Sequence, residues 1–225
     1  MSAPVVFADV PLGSRVRVPF TLAVAAHETV AVLGDEDSGV GQLGAYALGL
    51  ETAPAGQVRV FDIRLESLPG PDRLAFRRRV GYLPAGDGLL QNLSLRDNVA
   101  LPLRFGSDAS PREIDGRVNV MLVAVRLSRV ADRRPAQANE EECRRAALAR
   151  AMAFDPALLI LEQPFDGLTA RAAAELLEVA RGGETAEGGR RAILITGQEL
   201  PSVVQRCCDR VYRVTRAGSL ELETV

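Results

Sequence analysis

The feature that most constrains this 225-residue chain is a set of short, unbroken apolar runs: Ala157 to Leu161 (ALLIL) and Ala192 to Thr196 (AILIT), with Glu28 to Leu33 (ETVAVL) of similar character. A strand with one wet face alternates apolar and polar residues, whereas a strand covered on both faces reads as a continuous apolar stretch. Between the first two runs, a helix is expected from about Ala170 to Arg181. Doubly covered strands separated by helices define an α/β fold with a largely parallel sheet. The length fits one large α/β domain or two small lobes sharing a core, and 47% apolar residues supply that core.

The remaining elements fill in around this frame. The N-terminal part is β-rich: Arg15 to Val24 carries an apolar run, Gln57 to Phe61 (QVRVF) alternates, and Arg79 to Leu83 is a further strand. Gly34 to Gly41 is a Gly-containing loop before a helix over Leu43 to Leu50. The middle is helical. Ser94-Leu-Arg-Asp97 opens a short helix. Ser110-Pro111-Arg112-Glu113 opens another, with an N-cap Ser, Pro at the first position and Glu at the third. Asn139 to Met152 is a third helix. After Thr196 come one more helix and a hairpin of Arg210 to Val214 with Ser219 to Leu222. The expected organisation is one domain over 1–225, with a core lobe from 1–83 and 153–225 and a helical lobe from 84–152.

Several function classes are disfavoured. Net charge is −2 with interspersed signs, aromatics are 4% and Trp is absent, so no nucleic-acid partner is expected. All 27 basic residues are Arg; a chain without lysine has no mechanism that needs one. Cys143, Cys207 and Cys208 form neither a disulfide framework nor a metal-ligand spacing. No apolar run has the length of a membrane span and no signal peptide opens the chain, so a cytoplasmic location is expected, with membrane association only through a partner.

The order of landmarks carries a resemblance. A loop and helix follow the first buried strand, and then come Asp97-Asn-Val-Ala-Leu-Pro-Leu103, Arg145-Ala-Ala-Leu-Ala-Arg-Ala-Met152, Asp155-Pro-Ala-Leu-Leu-Ile-Leu-Glu-Gln-Pro164 and Gly167-Leu168. Over nearly the whole chain this succession resembles the ATP-binding subunits of ABC transporters. The resemblance implies a P-loop NTPase-like core with an N-terminal antiparallel β portion and a helical subdomain.

It also implies where ATP-handling residues would stand, and most are replaced. A working phosphate loop, GxxGxGK[ST], cradles phosphates with backbone N–H groups and reaches them with a Lys. Its counterpart here is Gly34-Asp35-Glu36-Asp37-Ser38-Gly39-Val40-Gly41-Gln42. Asp37 replaces a Gly, Val40 the Lys and Gly41 the Mg²⁺-binding hydroxyl. At ~6 Å two like charges repel by about 3 kcal/mol at an effective dielectric of 20, so Asp35, Glu36 and Asp37 oppose a triphosphate. The competing reading is an ordinary polar turn that keeps the ancestral shape.

The signature segment aligns with Ala138-Asn139-Glu140-Glu141-Glu142. Asn139 is a good N-cap, and three acids in the first turn offset the helix dipole, so the segment reads more readily as helix stabilisation than as a phosphate site. Glu162, a weak Mg²⁺ candidate, stands for the family's Asp and is one methylene longer. Gln163 stands for the general base and cannot take a proton from water. Ala85 stands at the Q-loop Gln, Gln198 falls near the switch histidine, and Thr169 replaces the Asp after Gly167-Leu168. Phe7 is a weak candidate for stacking adenine, and the lone His27 reads as a solvated turn residue.

Three functions remain open. One is a non-catalytic subunit that supports or regulates a membrane permease, paired with a second subunit of the same kind; no cofactor is expected. Another is a slow or asymmetric ATPase that binds ATP and Mg²⁺. The third is a soluble interaction module. In the family a groove around Leu83 to Phe105 receives a permease helix; here Leu89, Leu90 and Leu93 are docking candidates, with ordinary lobe core as the alternative.

Overall fold

The computed structural model describes residues 3–12, 18–182, 190–214 and 220–223. The expected strand residues 15–17 and hairpin residue Ser219 lie outside them. The strands are β1 (Val5–Leu12), β2 (Val18–Val24), β3 (Thr29–Leu33), β4 (Gln57–Val60), β5 (Val80–Leu83), β6 (Leu158–Glu162), β7 (Ala192–Gly197), β8 (Arg210–Val214) and β9 (Leu220–Glu223). The helices are α1 (Gln42–Ala47), α2 (Gly70–Arg77), α3 (Leu95–Gly106), α4 (Pro111–Ala124), α5 (Glu140–Ala151), α6 (Ala170–Arg181) and α7 (Ser202–Gln205).

Two sheets form. The larger has the order β5-β6-β7-β3-β8-β9 and is parallel except for its last pair; the smaller, β2-β1-β4, is antiparallel. The apolar runs lie where a doubly covered strand must. Successive side chains of a strand point to opposite faces. Ala31, Leu33, Leu159, Leu161, Ile193 and Ile195 therefore join the core beneath α3–α6. Val30, Val32, Leu158, Ile160, Ala192 and Leu194 join the core shared with the small sheet and α1. Each fully buried aliphatic side chain contributes about 1.5–3 kcal/mol, which fixes the register of β3, β6 and β7.

The helical middle is set by its caps. Ser94 Oγ accepts from Asp97 N, and Ser110 with Glu113 forms a reciprocal capping box with Pro111 at the first position. The helix after Ser94 was expected to be short, yet α3 spans 12 residues and carries Pro102 within it. One continuous apolar cluster joins α3, α4 and α5 to the large sheet.

Candidate functional site

The parallel registers bring three chain segments level at the C-terminal ends of neighbouring strands. Leu33 pairs with Gly197 and Glu162 with Thr196. Beyond the strand ends, Gly34 N donates to Gly197 O at 2.9 Å and Gln163 N to Thr196 O at 2.7 Å. A cavity of about 260 Å³ opens there, and Gly34, Val40, Gly41, Glu162, Gln163 and Gln198 line it together with Asp35, Glu36, Ala85, Thr196 and Gly197. Six expected site residues from three separate stretches thus meet. Asp37 is exposed and takes no part in the lining, and the Gln42 side chain instead accepts from Tyr46 Oη at 3.1 Å.

The loop over this cavity is closed on itself. Residues Glu36–Ser38 form a single 3₁₀ turn, with Gly39 in the left-handed region at φ 78°. Ser38 N donates to Asp35 O, Val40 N to Ser38 Oγ, Gln42 N to Gly39 O and Leu43 N to Val40 O. Val40 is only 3% exposed and packs into the core with Leu43 and Tyr46. Gly34 is required beneath it: a Cβ there would lie 2.4 Å from Ser38 Oγ and 2.9 Å from Val40 Cγ2.

Glu162 ends β6 with a buried carboxyl, 8% exposed. Its Oε2 accepts from Tyr82 Oη at 2.8 Å and from Ala85 N at 3.3 Å, while Oε1 has no partner. Oε1 lies against Gly44 of α1, where a Cβ would approach to 2.3 Å. Burial pushes the Glu162 carboxyl above its ordinary range, partly opposed by the bonds from Tyr82 and Ala85. Burial and then Glu162 itself push the Tyr82 hydroxyl up. Tyr82 was not foreseen as a site residue; its only sequence signal is its place at the end of β5, next to the predicted Ala85 loop. Gln163, beside Glu162, holds a left-handed backbone at φ 45°.

The start of α5 forms a second region. Asn139 Oδ1 accepts from Glu142 N at 2.8 Å, and Glu142 Oε2 accepts from Asn139 N at 3.0 Å. Both residues and Glu141 line a separate cavity of about 410 Å³ with Thr169. Glu141 pairs with Arg145, which also reaches Glu175. Arg126 and Arg171 bind Glu175 too, and the hydrogen bond from Arg171 leads those that hold this carboxyl below its ordinary range. Glu140 instead packs over Gly167, at φ 72°, where a Cβ would meet Glu140 Oε1 at 2.3 Å.

Two expectations need correction. Phe7 is fully buried in β1, edge-on to Phe20, because it faces the small-sheet core; no ring is free there to stack on a base. Leu89, at 6% exposure, belongs to the core under α3 and is not a surface docking residue. Leu90 is 45% exposed and Leu93 is half-buried. Their loop is held by the buried Asn98, which accepts from Leu90 N at 2.8 Å and donates to the carbonyls of Leu90 and Ser94. The exposed His27 is bonded to the Arg190 carbonyl.

A mainly parallel sheet with a loop-and-helix crossing its strand ends is the frame of nucleotide-binding cassettes. The family model described as ABC transporter matches residues 19–166, and this chain belongs to that family. Methionine import ATP-binding protein MetN 1 of Pseudomonas putida is 33% identical over 132 residues, 59% of this chain and 38% of that protein. Sulfate/thiosulfate import ATP-binding protein CysA of Nephroselmis olivacea is 43% identical over 82 residues, 35% of this chain and 24% of that protein. The chain therefore spans well under half the length of these relatives. Among solved structures, a dimeric bacterial ABC transporter cassette aligns with a TM-score of 0.84 at 20% identity, covering 98% of this chain and 99% of that one. A dimeric post-hydrolysis cassette bound to ADP and Pi aligns at 0.82 and 21%, covering 98% and 99%. These likenesses establish the fold. Among the described residues no helix is long and apolar enough to cross a membrane.

Proposed function

We propose that this chain is a non-catalytic cassette subunit of a membrane transporter, docked on a permease from the cytoplasmic side and paired with a second cassette-type subunit. In this reading residues 1–83 and 153–225 form the core lobe, and 84–152 the helical lobe that meets the permease. The observation that carries it is the cavity at the strand ends. Its described lining holds the carboxylates of Asp35, Glu36 and Glu162 and no cation. A triphosphate asks for the reverse: free backbone donors and positive charge.

Mg²⁺ and ATP do not fit the residues present. The N–H groups of Val40 and Gln42 are already bonded within the loop. Val40 carries no charge and is 3% exposed, packed with Leu43 and Tyr46. Gln163 is neutral where the family resemblance calls for a base. At the second region, the first-turn acids and the Asn139 cap occupy the α5 N-terminus. Calorimetry of the full chain should give Mg-ATP binding weaker than about millimolar, roughly −4 kcal/mol. Micromolar affinity would sink this reading.

A second reading is a slow or asymmetric ATPase subunit. The similar import proteins are named as ATP-binding, and Glu162 keeps a carboxylate at the end of β6. The same titration, followed by phosphate-release measurements, decides between the two.

A further inference from the structure

We infer that the cavity between α4, the end of α5 and the end of α6 binds a small amphiphilic acid, an apolar body ending in one carboxylate. This cavity holds about 620 Å³, against about 260 Å³ at the strand ends, and the two share no lining residue. Sites for small organic ligands occupy roughly 300–1,000 Å³ and join an apolar wall to a few polar groups. Here Val120 and Met121 of α4, Met152 at the C-cap of α5 and Val179 of α6 supply the apolar wall. Met121 and Met152 are the only methionines of the chain besides Met1. Their unbranched thioether side chains adapt to apolar ligands of varied shape. Val120 is 69% exposed and belongs to neither apolar core.

A glycine adds to the open space. Gly116 lies inside α4, where only proline is a poorer helix former. A Cβ built on it would meet no atom within 4 Å, so nothing within the protein requires a glycine there, and Gly116 lines the cavity. The charges then choose the ligand's polar end. Asp155 is paired with Arg191, and Glu178 with Arg181 at 3.3 Å. Among the described lining residues Arg117 is the charge left over. Its Nε donates to Ala153 O at 2.6 Å, while its two terminal nitrogens have no protein partner among the described residues. A guanidinium left uncompensated beside an apolar wall favours an anionic head, and its planar fork matches a carboxylate. A cationic head would find both lining carboxylates already engaged and would face Arg117.

The test is a titration of the full chain, isotope-labelled at its methionine methyl groups, with octanoate, n-octanol and octylamine separately, followed by NMR. With Met1 as the reference, the Met121 and Met152 signals should shift saturably. Octanoate should bind about tenfold more tightly than n-octanol or octylamine. Arg117→Gln should remove that preference. Gly116→Leu places a better helix former in open space, so it should fold at least as well as the parent and weaken octanoate binding by about tenfold or more. It keeps the inference open to refutation should Arg117→Gln disturb the bond to Ala153. The inference is overturned by unmoved Met121 and Met152 signals, by octanoate binding no better than n-octanol, by a preference for octylamine, or by octanoate affinity unchanged in Gly116→Leu. Micromolar Mg-ATP affinity would concern the cavity at the strand ends alone and would leave this inference standing.

Discussion

The Tyr82 hydroxyl donates to Glu162 Oε2 at 2.8 Å, joining residues 80 positions apart at the ends of neighbouring strands β5 and β6. The bond leaves the second carboxyl oxygen against the bare Cα of Gly44, without a partner. An acid so placed is held above its ordinary value of 4.5, with burial as the leading cause.

That shift has a defined sign. Below the unfolded value Glu162 is protonated in both states, and its contribution to stability is complete. As pH rises through the higher folded value, the folded state must ionise a buried group and the contribution is lost. Glu162→Gln cannot ionise and keeps the acceptor for Tyr82. Denaturant titrations carried upward from about pH 4 should show the Gln variant gaining on the parent as pH rises. Parallel profiles would contradict a raised folded value. The groups facing Glu162, Tyr82 and Ala85 N, are unchanged in this comparison.

Restoring a lysine at position 40 should not restore turnover. Val40 is packed beside Leu43 and Tyr46, so a longer, charged side chain costs about 1–3 kcal/mol of stability. Gln163 still offers no base. A melt and a phosphate-release assay on Val40→Lys check both halves. Robust hydrolysis would mean that the other replacements matter little.

The α5 cap predicts a purely structural phenotype. Asn139→Ala removes the acceptor for Glu142 N and should lower stability by about 1 kcal/mol. Any Mg-ATP affinity of the parent should be unchanged. A loss of nucleotide binding with unaltered stability would assign Asn139 a ligand role instead.

Docking is tested at the surface. Leu90 is 45% exposed and Phe105, at the end of α3, is 83% exposed. Each lies outside the core, so Leu90→Asp or Phe105→Asp should change stability by no more than about 0.5 kcal/mol. Leu90→Asp is expected to abolish co-purification with the membrane partner. Retention of the partner by Leu90→Asp together with its loss in Phe105→Asp would move the contact to the groove that Leu74, Phe105 and Phe154 line. Retention in both would end the docking proposal.

The fold was legible where one physical signal acted alone. Continuous apolar runs gave β6 and β7, and the Ser110-Pro-Arg-Glu pattern gave the start of α4 with its capping box. No element was foreseen over Val5–Leu12, because the alternation there slips. Val5 and Phe7 face inward, then Val10 and Leu12 do, across a bulge at Asp9 with φ 54°. Helix α2 was missed for a different reason: Gly70 and Pro71 open it, and Phe76 is its one buried residue. At the site, the convergence of Gly34, Glu162 and Gln198 followed from the family's order of landmarks. The Tyr82 bond did not, since nothing local in Gly81-Tyr82-Leu83 names a partner 80 residues away. The burial of Val40 was equally hidden, because a single apolar residue carries no period, whereas core burial of Leu89 was the alternative left open beside docking.

The cavity owes its position to neighbours that never touch a ligand. Leu33, Leu161 and Ile195 anchor the last turns of three strands in one apolar layer, and this alignment sets where Gly34, Glu162 and Gln198 stand. Selection for a well-packed interior is then enough to preserve a hollow of the same shape at the same address. Its walls are free to be rewritten one side chain at a time, and an exchange of lining chemistry needs no change in architecture.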